Sequence, residues 1–126
     1  MPNIQENNVA ISYAVILGQM VRQLREHKGA DQAALAEHLG VSVMTVSRIE
    51  SGDTVLDVPQ MEKTAEFFGL DPAEFFEQSL QIKRKLEQKD YTVFQNKKEF
   101  NKNPNFAMLS IAALAAILVG IMFKKK

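Results

Sequence analysis

DQAALAEHLGVSVMTVSRIESG, running from Asp31 to Gly52, reads as two short helices joined by a tight turn. Asp31 is a natural first cap, because its carboxylate can accept from the free N–H groups of the opening turn. Leu35, Ala36 and Leu39 supply an apolar stripe. Gly40 stops the helix, since glycine adopts the left-handed conformation without a Cβ clash. Val41 begins the turn, Ser42 caps the second helix, and Gly52 closes it. Val46 and Ile49, three apart, should face inward. Val43, Met44, Thr45, Ser47 and Arg48 are then left on the outward face.

The pattern extends in both directions. A preceding helix from about Ile11 to Lys28 carries Leu17, Val21 and Leu24 at helical spacing. Downstream, Asp57 and Pro59 open a fourth helix with Met61, Thr64, Ala65 and Phe68 inward, and Gly69 ends it. Asp71-Pro72-Ala73-Glu74 opens a fifth, which the charge pattern carries to about Lys89. Phe67, Phe68, Phe75 and Phe76 read as core or dimer contacts.

On these residues the chain resembles the lambda-repressor-like helix-turn-helix family, also called the Cro/CI or xenobiotic-response-element type. The match includes Gln32, Leu35-Ala36, Gly40-Val41-Ser42, Val46-Ser47, Ile49-Glu50 and Gly52, and spans about Leu17 to Phe76. The resemblance implies a five-helix DNA-binding domain whose third helix lies in the major groove. It also implies a structural ion pair between Arg25 and Glu50. Gln32 takes the place of a glutamine that contacts a phosphate and braces the recognition helix. Val43, Met44, Thr45, Ser47 and Arg48 take the groove-facing places. Arg48 can make a bidentate contact to guanine, and Thr45 can hydrogen-bond or touch a thymine methyl. Val43 and Met44 offer only apolar contact, where relatives often carry glutamine or another polar residue. An exposed Val-Met pair also suits a protein-binding patch.

Charge is divided unevenly along the chain. Its 126 residues sum to zero. Residues 1–80 hold five Lys/Arg and twelve Asp/Glu, a net of −7, whereas residues 81–126 hold ten and three, a net of +7. The acidic half has the wrong sign for strong non-specific attraction to phosphate. Cysteine is absent, which excludes disulfides, thiolate metal sites and cysteine nucleophiles. His27 and His38 stand alone, with no metal, cofactor or catalytic motif around them, and no enzymatic activity is expected.

Residues 1–10 read as a flexible start and 11–80 as the helix-turn-helix domain. Residues 81–105 read as a charged helix extension and a basic linker, with Pro104 forbidding continuous helix. Phe106 to Phe123, FAMLSIAALAAILVGIMF, is 18 residues without a charge, and Lys124 to Lys126 form a tail. At a 1.5 Å rise such a run spans roughly 27 Å, close to a bilayer's hydrocarbon core. Ala112, Ala116 and Gly120 fall four apart, a small-residue face suited to helix packing in lipid. The expected fold class is therefore all-α: five helices, a linker and one C-terminal membrane-spanning helix. The expected protein is a single-pass regulator in the cell inner membrane, with its DNA-binding domain in the cytoplasm. Its expected partners are double-stranded DNA, the lipid bilayer and a second copy of the chain. The alternatives are a membrane-tethered interaction scaffold, similar in layout to bacterial cell-shape proteins of the RodZ type, and an antitoxin-type regulator with a protein partner.

Overall fold

The first described element is a strand. β1 (Val9–Ser12) is a short apolar run, nearly all of it buried, and Ser12 both ends it and caps the helix that follows by accepting from the Val15 N–H. The computed structural model describes residues 8–123. The first seven residues and the lysine tail, both assigned roles from the sequence, lie outside the described residues.

Five helices follow: α1 (Tyr13–Lys28), α2 (Gln32–Leu39), α3 (Val43–Ser51), α4 (Val58–Phe68) and α5 (Pro72–Gln88). Their boundaries follow local chemistry. Asp31, Ser42, Asp57 and Asp71 each accept from a first-turn N–H. Asp57 and Gln60 complete a reciprocal capping box, and the first four helices each end on a left-handed glycine. α1 is the central helix. Its first half, from Ala14 to Val21, is buried on every side because α3, α4, α5 and a later helix all pack around it.

Past α5 the chain forms β2 (Thr92–Phe94), α6 (Lys97–Asn101), β3 (Ala107–Met108) and α7 (Ile111–Met122). The three strands make one parallel sheet in the order β2-β1-β3. Ala10 stands opposite Thr92 on one side and Met108 on the other. The five-helix unit is thus inserted between two neighbouring strands. β1 feeds α1 and β3 feeds α7. These helices pack side by side in the same direction: Val15 and Ile111 line one cleft at one end, and the Phe123 ring sits 4.4 Å from the His27 ring at the other.

Two expectations are corrected here. The fold is not all-α, because β1, β2 and β3 form a sheet. A four-residue apolar run such as Val9–Ser12 cannot be told from a helix start by periodicity, and its partners are too short to stand out. The segment read as linker contains β2 and α6. Nor is there a membrane-spanning helix: among the described residues no helix is long and apolar enough to cross a membrane. Ser110 divides the charge-free run by accepting from the Ala113 N–H, leaving β3 before it and 12 residues of helix after it. At 1.5 Å per residue, α7 is about 18 Å long, against about 30 Å of hydrocarbon. Leu114 and Leu118, four apart, are instead fully buried in the common core, where α7 packs on α1 and α5. The single-pass inner-membrane location, the bilayer as partner and the lipid-packing role of Ala112, Ala116 and Gly120 fall with the span. Those three residues lie on the exposed side of α7.

Candidate nucleic-acid interface

α3 is held by its inward side. Val46 and Ile49 fill the core, and Glu50, only 4 % exposed, turns its carboxylate into the protein. A buried carboxylate requires partners, and two helices supply them. Arg25 of α1 makes a two-pronged contact, Nε to Glu50 Oε2 at 2.7 Å and Nη2 to Oε1 at 3.0 Å. Gln32 of α2 donates Nε2 to the same Oε1 at 3.0 Å. Gln19 of α1 donates to the Glu50 backbone carbonyl at 3.0 Å. Arg25 also donates Nη1 to the Ala30 carbonyl at 2.9 Å, which ties in the turn before α2. Hydrogen bonding to Glu50 raises the Arg25 pKa against the lowering effect of burial, so the guanidinium stays charged.

The other side of α3 faces outward. Val43 is 46 % and Met44 60 % exposed, and Ser47 and Arg48 are exposed as well. Thr45 is half-buried, and its hydroxyl lies 3.0 Å from that of Ser42. The six residues singled out for DNA contact therefore divide. Val43, Met44, Thr45, Ser47 and Arg48 share the outward surface of one helix. Gln32 stands beside it and spends its amide on Glu50.

Sequence reasoning missed three residues of this site. Gly18 lets α1 approach α3 closely: a Cβ there would collide with the Ile49 carbonyl and sit 2.8 Å from that of Glu50. Gln19 belongs to no motif that marks it out in the sequence. Lys97 of α6 reaches across to Asp53, just past α3, at 2.7 Å, and Ser51 donates to the same carboxylate at 2.9 Å. These bonds, the lysine's foremost, hold the Asp53 pKa below its ordinary value. Among the described residues no cluster of His, Asp and Glu is placed to hold a metal ion.

Comparison with protein families matches residues 16–77 to the family described as helix-turn-helix domain. The chain carries a domain of the helix-turn-helix family. The helix-turn-helix domain covers α1 to the start of α5 and leaves out the sheet, α6 and α7. Among solved structures, the chain is similar to the restriction-modification controller protein C.AhdI from Aeromonas hydrophila. Identity is 31 %, the match covers 49 % of this chain and 94 % of that one, and the TM-score is 0.47. Comparison with curated proteins finds no significant match.

Proposed function

We propose that this protein is a DNA-binding transcription regulator that inserts α3 into the major groove, and that it acts as a pair of chains. The observation that carries the proposal is the two-sided character of α3. Its inner face is clamped by Arg25, Gln32 and Gln19, while Val43, Met44, Thr45, Ser47 and Arg48 are presented together on the outer face. A rigid helix with a free outer face suits base readout, because direct contacts require side chains held at fixed positions against base edges. Arg48 supplies the cation for guanine or phosphate. Two copies would set their α3 helices about one helical turn, roughly 34 Å, apart. No catalytic step is assigned.

Random-duplex selection with the full chain at near-physiological salt tests this. The expected product is a two-fold-symmetric site that Arg48→Ala fails to enrich while melting like the parent. The exposure of Val43, Met44, Val55 and Val58 favours a second reading, in which α3 and the start of α4 meet a protein. Absence of an enriched site at any salt would overturn the first reading in favour of that one.

A further inference from the structure

A cleft of about 510 Å³ opens where the C-terminal layer meets the helix-turn-helix domain. Arg22 of α1 and Gln32 of α2 stand on the domain's side, with Val15 just before its matched start. Lys97 of α6, Met108 of β3 and Ile111 of α7 stand on the other, and all three lie outside residues 16–77. The added segment therefore builds half of this cleft, at the base of α3. Its volume is in the range of small-molecule sites, about 300–1,000 Å³.

The lining is amphipathic. Met108 and Ile111, 39 % and 45 % exposed, make an apolar wall, and the nearly buried Val15 adjoins it. Arg25 and the Glu50 carboxylate also line the cleft, but they neutralise each other in their ion pair, which leaves Arg22 and Lys97 as the available cations. Among the described residues each is paired with a solvent-exposed carboxylate: Arg22 with Glu26 at 3.0 Å, Lys97 with Asp53 at 2.7 Å. Exposed pairs of this kind contribute little, so another carboxylate can replace either partner at small cost. We infer that the cleft binds a small amphipathic carboxylate, its head group between Arg22 and Lys97 and its hydrocarbon body against Met108 and Ile111. Ser47, on the outer side of α3, also borders the cleft. An occupant therefore touches the recognition helix and draws Lys97 away from Asp53. This coupling to α3 rests on the DNA-binding reading, whereas ligand binding itself does not.

Calorimetric titration of the full chain with sodium octanoate tests the site, beside octanol, acetate and inorganic phosphate. Octanoate should saturate one site per chain, with the other three at least about tenfold weaker. Ile111→Glu should abolish binding: a carboxylate in the first turn of α7 favours the helix dipole and keeps the fold, yet repels the ligand. Lys97→Ala should weaken it about tenfold and Lys97→Arg should retain it. Equal binding of octanol, equal binding of phosphate, or unchanged binding by Ile111→Glu would each overturn the inference. Octanoate should also change the affinity for the selected duplex. Failure to find any duplex defeats the DNA reading alone, because the titration still decides the site.

Discussion

At Gly18 one added carbon would meet backbone on the recognition helix. The glycine sits at the crossing of α1 and α3, with the carbonyls of Ile49 and Glu50 where a Cβ would go. Those are backbone atoms, so no side chain can swing aside to relieve the clash. Gly18→Ala must separate the two helices, which also stretches the Gln19 bond to Glu50 and the Arg25 clamp. Overpacking of this kind costs about 1–3 kcal/mol. A lower urea midpoint, together with loss of duplex binding, is the expected outcome, and a variant of parental stability would contradict the close approach. The caps at Asp31, Ser42, Asp57 and Asp71 were legible in the sequence because a cap is a local event, complete within four residues. Gly18 and Gln19 were not, because their meaning lies in a helix some thirty positions away along the chain.

At the scale of elements, α6 is fastened to the end of α3 by Lys97 and Asp53. The Asp53 pKa is lowered, chiefly by the bond from Lys97 and then by that from Ser51. A group that titrates lower in the folded than in the unfolded state adds stability above its unfolded value and loses it as pH falls through the folded one. The α3–α6 fastening should therefore persist at neutral pH and release on acidification below the ordinary aspartate range. An NMR titration of the Asp53 carboxyl should show the depressed value, and Lys97→Ala should move it upward. An unchanged value in that variant would mean that the ion pair is absent in solution. Neither the helix nor the fastening was legible. α6 is five residues long, in a stretch whose Asn and Lys content reads as solvated tether. The apolar run before the C-terminus was read by length and lack of charge, and those do not distinguish a span from a strand, a cap and a short helix. Ser110 was the available signal, as a cap residue inside an otherwise apolar run.

Across the whole molecule, the two halves of opposite charge fold into one body with one core. Leu114 and Leu118 of α7 belong to the same cluster as Leu35, Val46 and Ile49 of the helix-turn-helix domain and Ile82 and Leu86 of α5. A continuous core predicts a single unfolding transition. Leu114→Ala should lower its midpoint by the equivalent of about 2–5 kcal/mol. Circular dichroism and tyrosine fluorescence should report the same transition, since Tyr13 and Tyr91 lie in different layers and both pack on that core. Two separated transitions would show instead that the C-terminal layer is an independent appendage.

The position of β1 fixes an order of events during synthesis. Its strand partners are Thr92–Phe94 and Ala107–Met108, so β1 leaves the ribosome about eighty residues ahead of the first residue it pairs with. The helices between them make mostly local contacts and can form as they emerge, whereas distant pairings close last. A nascent chain stopped before residue 92 would leave β1 unpaired and α1 without its α7 neighbour. Completion of the sheet is then the molecular sign that translation has passed the cleft-forming residues.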